Sequence, residues 1–244
     1  MESPAGNEYF NLYRHGFIRT AVCIPEVKVA DVRFNAGETV RLAREAAAKH
    51  ACLALFPELG LSAYSNEDLF HQNALLDAVP RALEQVLQET ASLNLILIVG
   101  APLQVDSRLY NCGIVLHRGR ILGVAVKSYL PNYREFYEGR QFSPAEEALA
   151  KTISLCGQEE IPFGADLLFE VATIRHFRFF VEMCEDVWVP IPPSCLAALA
   201  GATVICNLSA SNVTIGKSEY RQSLTANQSA RCISAYLYAA AGLG

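Results

Sequence analysis

Val181-Glu182-Met183-Cys184-Glu185-Asp186-Val187-Trp188 is the stretch around which the chain is organised. A strand-like run, Phe177-Arg178-Phe179-Phe180-Val181, leads into it. Pro190, Pro192 and Pro193 follow, before a helix expected from Ser194. A cysteine at such a strand-to-turn junction can stand exposed at a sheet edge, where a nucleophile is useful. Cys184 is therefore a candidate to attack a carbonyl carbon; the alternative is a buried structural thiol. Attack needs a base for the thiol proton and a cation for the oxyanion.

The chain has 244 residues, 52% hydrophobic and 18% charged, which suits one large globular domain with a substantial core. The most apolar run, residues 93–99, is broken by Asn94 and is too short to span a bilayer. Glu2, Asn7 and Glu8 precede any apolar stretch, unlike a signal peptide. A net charge of −5 argues against a nucleic-acid surface. No nucleic-acid or membrane partner is expected. The eight cysteines form no C-x-x-C pair, and Cys23, Cys52, Cys112 and Cys206 lie in apolar runs. They read as reduced thiols of a cytoplasmic protein, with no disulfide framework and no metal site.

Residues 1–17 are expected to form an N-terminal arm. Residues 19–24 read as a strand ending at Pro25. Asp31 then caps a helix whose Val32, Ala36, Val40, Ala43 and Ala47 make one apolar stripe. Residues 51–56 read as a strand buried on both faces. Asp77 is expected to cap a second helix, with Pro80 in its first turn, and residues 95–99 to form a strand closed by Gly100. Residues 111–117 and 121–127 suggest a hairpin around Gly119. Residues 143–165 carry no clear pattern, and 166–172 with 175–181 suggest a second hairpin. A helix from Ser194, a strand over 202–206, a polar loop over 207–212, a helix over 217–234 and a strand over 235–241 complete the chain. Helices alternating with strands and hairpins indicate an α/β layered fold with a mixed sheet.

Glu58 directly follows the strand expected over 51–56, and Lys127 ends the apolar run 123–126. Like Cys184, each stands at the C-terminal end of a strand, the edge at which open α/β sheets bind ligands. A carboxylate among apolar side chains suits proton transfer near neutral pH, and a lysine beside a thiolate stabilises the anion. The alternatives are a solvated loop glutamate and a solvated edge lysine. None of the five histidines sits in a setting suited to a cysteine–histidine pair, and G-x-S-x-G, P-loop and G-x-G-x-x-G motifs are absent. If Cys184 is a nucleophile, its base is a carboxylate.

Taken together, these motifs resemble a known family. Phe56-Pro57-Glu58-Leu59, Lys127-Ser128-Tyr129-Leu130-Pro131-Asn132-Tyr133-Arg134-Glu135-Phe136-Tyr137-Glu138 and Cys184-Glu185-Asp186-Val187-Trp188 resemble the Glu, Lys and Cys motifs of the nitrilase (carbon–nitrogen hydrolase) superfamily. The resemblance covers residues 18–244. The long second motif and Asn207-Leu208-Ser209-Ala210-Ser211 resemble the glutaminase domain of glutamine-dependent NAD⁺ synthetases. The resemblance implies a four-layer α-β-β-α sandwich, truncated at its C-terminal end.

The resemblance also implies roles. Glu58 would take the thiol proton, Cys184 would attack the amide of L-glutamine, and Lys127 with the Glu185 N–H would hold the oxyanion. Glu135 and Glu138 are supporting acids, one of which would orient Lys127 or the attacking water. Tyr133 and Glu185 would face the amino end of glutamine, Tyr64 and Trp188 would shape the pocket, and Ser211 and Lys217 would lie near its carboxylate. Relatives often carry Gly-Tyr where this chain has Ala63-Tyr64, and can carry arginine at Lys217. Hydrolysis would need no cofactor. ATP and Mg²⁺ are expected only in a C-terminal NAD synthetase domain, whose Ser-Gly-Gly-x-Asp-Ser motif this sequence lacks. A homo-oligomer is expected. The other readings are a free-standing amidase for another small amide and a catalytically silent scaffold.

Overall fold

Apolar side chains on both faces of the central strands dictate the layering, because each face must be covered. The computed structural model describes residues 11–242. Strands β1 (Thr20–Val22), β2 (Leu53–Leu55), β3 (Ile96–Val105), β4 (Arg108–His117), β5 (Arg120–Val126), β6 (Thr152–Leu155) and β7 (Gln158–Gly164) form a seven-stranded sheet, ordered β1-β2-β3-β4-β5-β7-β6. Strands β8 (Leu168–Glu170), β9 (Arg178–Met183), β10 (Val204–Ser209) and β11 (Ala235–Ala240) form a four-stranded sheet, ordered β11-β10-β9-β8.

Leu53, Leu55, Ile96, Ile98 and Val115 point to the core between the sheets, where they meet Phe179, Val181, Met183, Cys206 and Leu208. The alternate residues Ala54, Leu97 and Val99 point outward into a second core. Helices α1 (Val32–Ala48) and α2 (Asn73–Thr90) cover that face with Ala36, Val40, Ala43, Val79, Leu83 and Val86. Asp31 caps α1 by accepting from the Phe34 N–H at 3.1 Å. On the far face, Phe180 and Ile205 pack against Ala197 of α3 (Pro193–Leu199), and α4 (Lys217–Cys232) lies against α3 and β11. Glu182 is buried on this side and accepts from the Ser194 N–H at 3.0 Å, anchoring the start of α3. The result is the α-β-β-α sandwich that the resemblance implies.

Four expectations change. Helix α2 begins at Asn73, so Asp77 is not its cap and Pro80 lies inside it. The stripe Leu75, Val79, Leu83, Val86, Leu87 and Thr90 is buried along the helix's whole length, and this burial offsets the backbone bond that Pro80 cannot donate. Strand β3 continues past Gly100 to Val105 and turns into β4 through Asp106 and Ser107, both at positive φ (49° and 63°). Residues 143–165 contain the β6–β7 hairpin, whose turn uses Cys156 and Gly157 at φ 51° and 70°. β6 is a short edge strand with no buried residue, so its alternation is faint. Finally, β10 runs to Ser209, so Asn207 and Ser209 are buried strand residues and not a loop.

Of the arm expected over residues 1–17, residues 1–10 lie outside the described residues. The turn Leu12–His15 is tied down by Tyr13, whose hydroxyl donates to the His50 carbonyl at 2.6 Å.

Gly100 has a specific task. A Cβ there would lie 2.4 Å from the Leu59 nitrogen and 2.5 Å from the Pro57 oxygen, so the segment bearing Glu58 passes directly over a bare backbone. Backbone atoms cannot swing aside as a flexible side chain can. Gly100→Ala is expected to cost about 2 kcal/mol of stability and to displace Glu58. Thermal melting checks the first; an unchanged melting point would contradict it.

Candidate active site

Three strand ends converge. The chain leaves β2 through Phe56 and Pro57, and Glu58 is 2% exposed. Lys127 follows β5 and is fully buried. Cys184 follows β9 and is also buried. Lys127 Nζ lies 2.6 Å from Glu58 Oε1 and 2.8 Å from Glu138 Oε1. Asn111 Nδ2 donates to Glu58 Oε1 at 2.8 Å, and the Ala210 N–H donates to Glu58 Oε2 at 3.0 Å. The Tyr64 hydroxyl donates to Glu138 Oε1 at 2.7 Å. Glu138 Oε2 is buried and has no hydrogen-bond partner among the described residues.

The electrostatics follow from this crowding. Burial opposes the charge on Lys127, but Glu58 and Glu138 outweigh it and hold the ammonium well above the usual lysine range. The stabilisation from that pairing is present below the unfolded lysine value and is lost only as pH rises through the folded one. Burial pushes Glu138 up, with Lys127 opposing. Burial, then the charge of Glu58, raises the Cys184 thiol to about 12, while Lys127 and Ser209 pull it down. The resting sulfur therefore keeps its proton, and a base beside it must remove that proton during attack.

The elbow carrying Cys184 is strained. Its φ of 40° lies in the left-handed region, and Leu59 and Ala63 near Glu58 share that conformation at 52° and 67°. The value at Ala63 is one that glycine adopts without strain. Asp186 holds the elbow. Its Oδ2 accepts from the Met183 N–H at 2.9 Å, and its Oδ1 accepts from Ser128 N–H at 3.2 Å and Tyr129 N–H at 2.9 Å. One carboxylate thus clips the cysteine turn to the segment after Lys127. Burial raises Asp186 to about 8, against those N–H donors. Residues Cys184–Val187 form a single 3₁₀ turn, whose leading N–H groups lack partners within the turn.

Of the other expected residues, Tyr64, Tyr133, Glu185, Trp188 and Lys217 are linked through Phe136 and its neighbours. The Tyr133 hydroxyl donates to the Glu185 carboxylate, 3.0 Å and 3.2 Å from its oxygens. Tyr64 and Tyr133 both pack edge-on against Phe136. Lys217 Nζ sits 5.1 Å from the Trp188 ring centre and donates to Asn212 Oδ1. The Ser211 N–H donates to Ser209 Oγ at 3.3 Å. Glu135 does not join them: it is exposed on the loop, and Glu138 is the acid that meets Lys127. Sequence reasoning also passed over Asn111, Asp186 and Ser209. For Asn111 and Ser209 the available signal was a polar residue embedded in, or closing, an apolar strand.

Lys127→Met is expected to lower stability at neutral pH by about 3–5 kcal/mol, because two buried carboxylates lose their counter-charge. The loss should shrink as pH falls, since protonation neutralises a carboxylate left unpaired. Denaturant unfolding between pH 5 and 8 measures both, and a loss independent of pH would contradict the pairing.

The chain is similar to known proteins over nearly its whole length. Residues 19–244 match the carbon–nitrogen hydrolase family model. The chain is 49% identical over 236 residues to the glutamine-dependent NAD(+) synthetase of Mycobacterium tuberculosis, covering 97% of this chain and 34% of that protein. It is 47% identical to the Mycobacterium leprae protein of the same name, covering 97% of this chain and 35% of that one. The chain thus spans about a third of the length of these relatives. A solved glutamine-dependent NAD(+) synthetase from Cytophaga hutchinsonii matches with a TM-score of 0.78 and 27% identity, over 91% of this chain and 36% of that one. An amidase from Nesterenkonia sp. AN1 shares the fold, with a TM-score of 0.72 at 16% identity, over 93% of this chain and 77% of that one. With its Glu, Lys and Cys strand ends gathered at one site, the chain belongs to the carbon–nitrogen hydrolase family.

Proposed function

We propose that residues 18–244 hydrolyse the side-chain amide of L-glutamine through a thioester on Cys184. The observation that carries this reading is Lys127 bridging Glu58 and Glu138 beside the buried Cys184 elbow. Glu58 takes the thiol proton as the sulfur attacks the amide carbon. Lys127 and the Glu185 N–H hold the oxyanion. Glu58 returns the proton to the departing ammonia, then activates water against the thioester, and glutamate leaves.

An amino-acid substrate is favoured by two opposite charges close to each other: the Glu185 carboxylate bound by Tyr133, and the Lys217 ammonium over Trp188, with the Phe136 ring packed on Tyr133 and its centre 5.8 Å from Lys217 Nζ. These charges complement an α-amino group and an α-carboxylate, and Tyr64, Tyr133, Trp188 and Ser211 complete the pocket. The names of the relatives support a further step, in which the ammonia passes to an ATP- and Mg²⁺-dependent synthetase domain that amidates deamido-NAD⁺. The hydrolysis itself uses no cofactor. The eight free thiols support a reducing, cytoplasmic setting, and among the described residues no helix is long and apolar enough to cross a membrane. Exposed Ile191, Leu196 and Leu199 on and beside α3 support association with a second copy.

Cys184→Ala is expected to reduce ammonia release from glutamine by about a thousandfold or more. An unchanged rate would overturn the proposal. Lys217→Ala should raise KM for glutamine about tenfold while largely sparing kcat, since it removes an ionic contact to a remote group of the substrate. Propionamide should turn over far more slowly than glutamine; the reverse order would favour an amidase for simple amides.

A further inference from the structure

Glu58 and Lys127 account for proton removal and oxyanion charge, and the Lys127 charge also eases a thiolate at the buried Cys184; a direct hydrogen bond to the sulfur would ease it further. One neighbour touches the sulfur directly. Ser209 Oγ lies 3.3 Å from Cys184 Sγ, and Ser209 is completely buried at the end of β10. Among the described residues its hydroxyl has three polar contacts. The Ser211 N–H points at it from 3.3 Å, and the Tyr238 hydroxyl oxygen lies 2.5 Å away.

A serine hydroxyl has one proton and two lone pairs. The Ser211 N–H can only donate, so it occupies one lone pair. If the Tyr238 hydroxyl also donates, the second lone pair is filled and the single Ser209 proton is left for the sulfur. Burial and the nearby Cys184 keep Tyr238 protonated, with its phenol raised to about 12, so it remains a donor through the neutral range. Tyr238 stands on β11 opposite Asn207 in the parallel register, and its hydroxyl reaches along the sheet to Ser209.

We propose that Ser209 is a further catalytic residue that donates its hydroxyl hydrogen to the Cys184 sulfur, and that Tyr238 is a positioning residue that fixes the direction of that donation. This rests on the reading of Cys184 as the attacking thiolate. No proton is transferred along the pair. Glu58 still removes the thiol proton, and the Ser209 O–H bond stays intact while its hydrogen bond strengthens as the sulfur becomes anionic. Thiolate stabilisation by a neutral donor leaves Lys127 free to serve the oxyanion. The strand end then has two tasks at adjacent residues: Ser209 holds the sulfur, and the Ala210 N–H holds the carboxylate of its base.

The test is the pH dependence of iodoacetamide alkylation, with adducts located by mass spectrometry, in the wild-type protein, Ser209→Ala and Tyr238→Phe. In Ser209→Ala the profile for Cys184 should move up by about one pH unit, because a charge-assisted hydrogen bond to the thiolate is lost. At pH 8 its alkylation should slow by roughly three- to tenfold, the upper figure being tempered by the greater nucleophilicity of a less stabilised thiolate. Tyr238→Phe, which removes one hydroxyl, should shift the same profile in the same direction by less. Cys156, remote on the β6–β7 turn, provides the internal standard and should react unchanged in all three proteins. An unshifted Cys184 profile in both variants would overturn the Ser209 assignment while leaving the nucleophile reading intact. Equal slowing of Cys184 and Cys156 would also overturn it, because that marks a general structural change. Normal glutamine hydrolysis by a Cys184→Ala protein would sink the underlying reading itself.

Discussion

The structure depends on one buried cation. Lys127 has no exposed surface, and its ammonium lies between two buried carboxylates, 2.6 Å from Glu58 and 2.8 Å from Glu138. An unpaired charge in such a place would be too costly to keep, and a second carboxylate without the lysine would repel the first. Each member therefore requires the others. Together they fix the ends of β2 and β5 and the loop carrying Glu138 relative to one another. The same cluster supplies a proton acceptor and a positive charge at the point where a tetrahedral intermediate would form.

A rigid frame keeps that cluster beside the nucleophile. Gly100 lets the Pro57–Glu58–Leu59 backbone cross β3 in close contact. Asp186 clips the cysteine turn to the segment after Lys127. The end of β10 reaches both partners, through Ser209 to the sulfur and through Ala210 to Glu58. Left-handed φ values at Leu59, Ala63 and Cys184 show where the backbone is bent to meet these demands. The strain is affordable because three apolar cores, one between the sheets and one outside each, hold the four layers in register.

Much of this was legible in the sequence for a physical reason. Glu58, Lys127 and Cys184 each end an apolar run, and polar residues at such ends stand out because the strand before them is buried. The layered fold was legible from runs such as residues 51–56, too apolar to have a solvent face. Other features depended on tertiary partners. Asn111 looks like an ordinary strand residue and Ser209 like part of a polar loop until the fold brings them to Glu58 and Cys184. Asp186 reads as one acid among several until its three N–H donors are seen. The start of α2 was misread because Gln72 makes no side-chain cap bond, whereas Asp77 and Pro80 imitate one. Glu135 and Glu138 are equivalent by type, and only the fold of the loop buries one and exposes the other.

The central claim is that Cys184 becomes acylated under the control of the Glu58–Lys127–Glu138 cluster. The most direct measurement is to quench the protein in acid during turnover of glutamine, digest it and locate any acyl group by mass spectrometry. The account predicts a glutamyl group on Cys184, removable by hydroxylamine as a thioester should be, and absent when Cys184 is replaced by alanine. Acylation at a different residue, or sustained glutamine hydrolysis by the Cys184→Ala protein, would contradict it.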